Sequence, residues 1–156
     1  MDIPQKAMHK TIPKNIIDTL YQLAKSAREK SYSPYSQYQV GAAVLMSDGK
    51  FFSGCNIENS SYGATTCAER VAIQKAISEG STGILELLVL TDANPPWPPC
   101  GMCRQVISEF NSDSTGGQNV IIHLANLDGK IKSYPFKELF PQAFNPSFIN
   151  NAQKKI

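Results

Sequence analysis

Charge and cysteine are both scarce in this chain. Charged residues make up 18% of the sequence and sum to a formal net charge of +2. Lys and Arg are scattered apart from a Lys154–Lys155 pair, so there is no basic stripe for a nucleic-acid backbone and no nucleic-acid partner is expected. No apolar run approaches the roughly 20 residues needed to cross a bilayer. Asp2, Pro4 and Lys6 break up the continuous apolar stretch that a signal peptide needs. No membrane partner is expected, and a cytoplasmic location follows by default. Internal repeats are missing, as is any linker long enough to divide the chain. Cysteine occurs only four times, as Cys55, Cys67, Cys100 and Cys103. In a reducing compartment disulfides are not expected, and closely spaced thiols read as metal ligands or redox groups.

What remains is the composition of a folded protein. Hydrophobic residues account for 42% of 156 positions, enough for one domain with a buried core and against general disorder. The expected division is a flexible leader (1–13), a single domain (14–148) and a C-terminal tail (149–156). Ile16, Leu20, Leu23, Ala24 and Ala27 recur at helical spacing, predicting an amphipathic helix over 15–30. A Pro34 loop follows, then strands over 38–46 and 51–57 around the Ser47-Asp48-Gly49-Lys50 turn. A second helix is expected over 67–79, closed by Gly80. The Leu/Val-rich run 84–91 reads as a buried strand, although periodicity alone does not exclude a helix, and Asn94-Pro95-Pro96-Trp97-Pro98-Pro99 must be irregular. Next come a helix over 100–110, a loop with Gly116-Gly117 over 111–118, and strands over 119–126 and 130–134. A short helix over 137–140 completes the series. Two hairpins joined by helical crossovers imply an α/β fold, a three-layer α/β/α sandwich around a mixed five-stranded sheet.

The chemistry gathers at three cysteines. Cys100 and Cys103 lie one helical turn apart where a helix begins, and Cys67 stands at the start of another. Helix N-termini carry partial positive charge and lower thiol pKa, favouring the thiolate that binds metal. Brought together, the three would hold zinc and leave its fourth position open to water. Glu69, two residues after Cys67, is a carboxylate placed to take and return a proton. Three thiolates around Zn²⁺ leave a single net negative charge, which an adjacent cation offsets, and Arg70 is placed to donate to the sulfurs. Two other readings of the cysteines stay open: a redox C-x-x-C pair, and a closed structural zinc site with Cys55 as fourth ligand. Cys55 ends a strand beside Phe51 and Ile57, which favours packing for it.

Cys67-Ala68-Glu69-Arg70 and Pro99-Cys100-Gly101-Met102-Cys103-Arg104-Gln105 resemble the two zinc signatures of the cytidine deaminase superfamily. Cysteine as the first ligand is similar to its small, three-cysteine branch. The resemblance continues in Tyr35 to Ala43, in Gly54-Cys55-Asn56-Ile57-Glu58-Asn59 and in Glu138 to Phe144, and so spans about residues 15–144. It implies one Zn²⁺ per subunit on Cys67, Cys100 and Cys103, with Glu69 as proton shuttle. The implied activity is hydrolytic deamination of free cytidine and deoxycytidine in pyrimidine salvage. Activated water adds at C4; Glu69 passes one of its protons to N3 and later helps protonate the departing amine.

Further roles follow from the same resemblance. Asn56 and Glu58 would bind ribose hydroxyls, Tyr38 would stack on the pyrimidine where relatives have Phe, and the backbone near Ala68 would hold the amino group. Tyr62 and Phe144 match positions that reach into a neighbouring subunit's pocket in a homotetramer. Trp97, Pro98, Met102 and the length of the 112–118 loop depart from the usual pattern, and the first two would reshape the base pocket and so bear on substrate preference. His9 and His123 match no motif and read as tail and strand residues. Three rival readings remain: a deaminase of a cytosine-containing antibiotic such as blasticidin S, a polynucleotide editor, and a non-catalytic zinc-binding protein. Asn56-Ile57-Glu58-Asn59 favours a plain ribose over the antibiotic, and the missing basic clusters disfavour the editor.

Overall fold

The computed structural model describes residues 14–111, 120–145 and 149. The expected leader, most of the 111–118 loop and nearly all of the tail, with His9 and the Lys154–Lys155 pair, lie outside those residues. The elements run α1 (Lys14–Arg28), β1 (Gly41–Met46), β2 (Phe51–Cys55), a 3-10 turn (Tyr62–Ala64), α2 (Ala68–Ser78), β3 (Ile84–Thr91), α3 (Gly101–Glu109), β4 (Ile121–Asn126), β5 (Ile131–Pro135) and α4 (Phe136–Leu139).

One five-stranded sheet has the order β2-β1-β3-β4-β5. β1 pairs antiparallel with β2 and β3, β3 runs parallel to β4, and β4 pairs antiparallel with β5. The sheet is therefore mixed, as the two hairpins and the crossovers required. All six residues of β1 are buried, because alternate side chains point into two different cores. Val44, Met46, Leu87, Val89, Ile122 and Leu124 pack with Ala72, Ile73 and Ala76 of α2 and Ile107 of α3. Ala43, Leu45, Leu88, Leu90 and Ala125 pack with Leu20 and Ala24 of α1. The layers are thus α1, sheet, then α2 with α3. A methyl on Gly41 would come within 2.0 Å of the Ala24 carbonyl, so α1 can lie this close to β1 only because position 41 has no side chain.

The first strand is shorter than the hydrophobic pattern suggests. Tyr38 to Val40 lie outside β1, for two local reasons. Gln37 has a φ of 60°, the left-handed region, which turns the chain just before Tyr38. The Asn56 side chain then takes up backbone groups a sheet partner would use: Nδ2 donates to the Tyr38 carbonyl (2.8 Å) and Oδ1 accepts from the Val40 N–H (2.9 Å). Ile57 likewise leaves β2 and bridges to Tyr32 and Thr66 instead. Cys67 and Cys100 are not inside helices but are the N-cap residues of α2 and α3. His123 is a strand residue, as expected, and is fully buried between Glu86 (3.0 Å) and Ser133 (2.7 Å).

Candidate active site

Two helix starts meet on one side of the sheet. Ala72 and Ile73 of α2 and Ile107 of α3 share one core, which brings the N-termini of both helices to the same place. Cys67 and Cys100 occupy cap positions with extended backbone (φ −69°, ψ 155° and φ −66°, ψ 169°), and neither side chain caps its helix. Their sulfurs face each other instead, 3.8 Å apart. Cys103, buried in the first turn of α3, completes a cluster whose three sulfurs all lie within 4.8 Å of one another. Cys55 has no part in the cluster, and among the described residues this is the one such group of potential metal ligands.

The donor set fits zinc. A tetrahedron with Zn–S bonds of about 2.3 Å has an edge of about 3.8 Å, the separation of Cys67 and Cys100. Three soft sulfurs also leave one tetrahedral position that the protein does not fill. The charges are arranged for thiolates. A hydrogen bond from the Cys103 thiol, helped by Arg70, holds Cys67 well below the usual thiol range; the same bond, together with burial, pushes Cys103 up. Arg70 Nη2 donates to the Thr65 carbonyl (3.0 Å) and reaches Cys67 Sγ at 3.6 Å. Its Nε is buried with no hydrogen-bond partner among the described residues, while Nη2 holds the guanidinium charge beside the Cys67 sulfur.

Glu69 sits in the first turn of α2 and is only 4% exposed. Burial pushes its carboxyl up to about 7, and the nearby Cys67 charge adds to the rise. Its own backbone N–H, the Cys103 thiol and the Arg70 charge oppose the rise. A buried carboxyl poised near neutrality beside a metal-ligand cluster is suited to passing a proton in both directions. Ala68, between Cys67 and Glu69, is fully buried.

A second group of residues lies where β2 ends. Asn56 is nearly buried and ties that end to the segment before β1. Its Oδ1 accepts from Val40 N–H and the Ser31 hydroxyl, and its Nδ2 donates to the Tyr38 carbonyl. One amide hydrogen is left for a ligand. Glu58 Oε2 accepts from the backbone N–H of Tyr35 (2.9 Å) and Ser36 (3.2 Å), and Oε1 accepts from the Ser36 hydroxyl. The Ser36 hydrogen bond, seconded by the two backbone donors, holds the Glu58 carboxyl below its usual range. A carboxylate offers about four acceptor positions, so Glu58 keeps one free, on Oε1. Tyr35, Ser36, Glu58, Tyr62 and Thr65 line an open cleft of about 360 Å³, a size suited to a small organic ligand. The three cysteines are not among its walls.

Tyrosine rings take part in two aromatic contacts. Tyr35 and Tyr62 meet edge to face at 5.7 Å, and Tyr38 and Trp97 meet at 5.1 Å with planes inclined at 55°. Tyr62 is 75% exposed and Phe144 56% exposed. The Phe144 carbonyl accepts from Gln105 Nε2 (2.9 Å), so the C-terminal segment is fixed to the helix that carries two of the cysteines. The structure therefore gathers Cys67, Cys100, Cys103, Glu69 and Arg70 in one place and Asn56 and Glu58 in another, with Tyr38 tied to Asn56. Ser31, Ser36 and Thr65 escape a reading of the sequence. Serines and threonines are common in loops, and nothing in their spacing marks them as partners of Asn56, Glu58 or Arg70.

Comparisons with known proteins point to one family. Residues 14–115 match the family described as the cytidine and deoxycytidylate deaminase zinc-binding region. A cytidine deaminase from Halalkalibacterium halodurans is 46% identical over 132 residues, 85% of this chain and 96% of that protein. One from Sporosarcina psychrophila is 42% identical over 139 residues, 89% of this chain and 98% of its own. Among solved structures, a cytidine deaminase from Burkholderia pseudomallei superposes with a TM-score of 0.74 at 40% identity, covering 81% of this chain and 98% of its own. The Mycobacterium tuberculosis enzyme superposes with a TM-score of 0.69 at 35% identity, covering 82% and 96%.

Proposed function

The chain belongs to the cytidine and deoxycytidylate deaminase family, and on that premise we propose that it is a zinc-dependent hydrolase acting on free cytidine and deoxycytidine. The products are uridine or deoxyuridine and ammonia. The observation that carries this reading is the buried Glu69 carboxyl set beside three sulfurs spaced for zinc.

Cys67, Cys100 and Cys103 would hold the metal, and Arg70 would offset the excess negative charge of three thiolates. When bound, zinc supplies Lewis acidity that brings water into nucleophilic range near neutral pH. Glu69 takes a proton from that water as the new bond to C4 forms, and delivers it to N3 of the base. It then assists transfer of the new C4 hydroxyl's proton to the 4-amino group as the C4–N bond breaks and the carbonyl forms, so that one water is consumed and one ammonia leaves. Its elevated pKa supports this role, because a carboxyl that is ionised and protonated in comparable amounts both accepts and donates readily. The buried backbone at Ala68 is placed to meet the amino group.

The free amide hydrogen of Asn56 and the free acceptor position on Glu58 would engage a ribose hydroxyl as acceptor and donor respectively. Their remaining valences are spent within the chain, so both are fixed before any ligand arrives. The Tyr38 ring would lie against the pyrimidine. The exposure of Tyr62 and Phe144 supports a homotetramer in which each subunit helps complete a neighbour's pocket. Sedimentation at several protein concentrations tests this, and a monomer at assay concentration would exclude it. No helix of the described residues is long and apolar enough to cross a membrane. All four cysteines are free, which suits a reducing cytoplasm.

The substrate is tested by following ultraviolet absorbance during incubation with cytidine, deoxycytidine, free cytosine and blasticidin S. Both nucleosides should be turned over and the free base left intact. Turnover of blasticidin S without turnover of cytidine would overturn the reading.

A further inference from the structure

Trp97 is the chain's one tryptophan, and the segment between β3 and α3 is built to hold it outward. Pro96 and Pro99 are buried, while Trp97 and Pro98 are exposed. At one end, Asn126 Nδ2 donates to the Ala93 carbonyl (3.3 Å) and Lys130 Nζ to Asn94 Oδ1 (3.2 Å). At the other end, Arg104 Nε donates to the Pro99 carbonyl (2.8 Å). With four prolines restricting φ between these anchors, the indole is presented by a stiff strap.

Its partner is held as firmly. Tyr38 is fixed by Asn56 through its carbonyl and by the Ser36 hydroxyl through its N–H (3.1 Å). The rings touch, yet Tyr38 remains 50% exposed and Trp97 44% exposed. Two large aromatic rings on rigid supports, each half bare, leave apolar surface that packing among the described residues does not cover. The pair also stands at a junction. Tyr38 belongs to the segment clasped by Asn56, and Trp97 lies three residues before Cys100. A base whose sugar met Asn56 and whose C4 faced the cysteine cluster would lie against the exposed parts of both rings.

We propose that Trp97 is a substrate contact and a specificity-determining residue, forming with Tyr38 a tilted aromatic corner around the pyrimidine. At 55° the two rings cannot both stack on one base. One takes the face and the other meets the ring edge, where substituents distinguish one pyrimidine from another. This inference rests on the cytidine reading above.

The lone tryptophan makes it directly measurable. The zinc-loaded protein, excited at the red edge of indole absorption where tyrosine is silent, is titrated with uridine, a product that is not turned over. The expected result is a saturable change in emission whose midpoint matches the inhibition constant of uridine against cytidine. Trp97→Val should raise the KM for cytidine about tenfold and leave kcat within about twofold, the loss expected when one aromatic contact to a base is removed. Trp97→Phe should recover most of that loss. Uridine that inhibits without altering the emission overturns the contact. So does emission that responds to dilution of the protein but not to uridine, which would make Trp97 a subunit contact. If cytidine is not turned over and uridine does not inhibit, the substrate reading falls first and the contact falls with it.

Discussion

Cys67 and Cys100 begin different helices 33 residues apart, yet their sulfurs lie 3.8 Å from each other. Each stands where a capping side chain would normally accept a helix N–H, and neither does so. Ser, Thr, Asp or Asn at such positions would give each helix about 0.5–2 kcal/mol. Cysteine forgoes that stabilisation and directs a thiol at the other helix, a choice that a metal site explains and packing does not.

The first prediction tests the composition of that site. Cys55→Ala should keep zinc at one per subunit after dialysis, because Cys55 lies outside the sulfur cluster. Cys103→Ser should lose it, because a buried hydroxyl replaces a soft thiolate at the core-facing corner. Metal content by atomic emission decides both. Zinc lost from the Cys55 variant would mean a closed structural site.

Glu69→Gln separates holding the metal from using it. The amide is nearly isosteric and does not ligate in this arrangement, so zinc content should be unchanged. It cannot take a proton from the attacking water and return it to N3, so kcat should fall by at least about 10²-fold. Appreciable turnover in the zinc-loaded variant would remove Glu69 from the reaction.

How far the chain could be read in advance depends on where the information lies. The β3 boundaries follow from a Leu/Val run of strand length, although its periodicity alone leaves a helix open, and both hairpins follow from their turn residues. The zinc cluster was legible because its three sulfurs come from two short motifs at helix starts, and local spacing fixes most of their geometry. What was not legible is held together over distance. Nothing near Tyr38 shows that Asn56 will occupy its carbonyl and so keep 38–40 out of the sheet. Ser36 is an ordinary loop serine until the fold brings Glu58 to it. The Tyr38–Trp97 contact likewise joins segments 59 residues apart, through a loop whose path depends on anchors in β4, the turn after it and α3.

Ser36 should control the ionisation of Glu58. Three donors hold that carboxyl below its usual range, with the Ser36 hydroxyl foremost. A folded pKa below the unfolded value means that the contacts contribute fully above the unfolded pKa, and that their contribution is lost as pH falls through the folded one. Ser36→Ala should therefore move the Glu58 titration upward, toward the ordinary glutamate value, and bring the acid-side rise in KM to higher pH. Carboxyl carbon shifts across an acid titration of both proteins check this. An unchanged Glu58 midpoint would show that the backbone donors alone suffice.

Gly54 links stability to the site most directly. It faces α2 at a spacing that admits no side chain: a methyl there would meet Ala72 N at 2.6 Å and Val71 Cβ at 2.8 Å. Neither atom can rotate away, since one is backbone and the other is fixed to it. Gly54→Ala must therefore push α2 off β2, at a cost of about 1–3 kcal/mol as for other overpacked sites. In a chain of this size that lowers the melting temperature by about 2–4 °C per kcal/mol. The displaced helix carries Cys67 as its cap and Glu69 in its first turn. Rates that depend on a proton donor's position fall steeply with sub-ångström misplacement. The variant should accordingly lose more activity than stability, with zinc largely retained and kcat reduced well beyond the fraction unfolded. Urea unfolding, zinc content and kcat on one preparation test this together. Wild-type kcat in a destabilised Gly54→Ala protein would show that the shift of α2 is absorbed before it reaches Glu69.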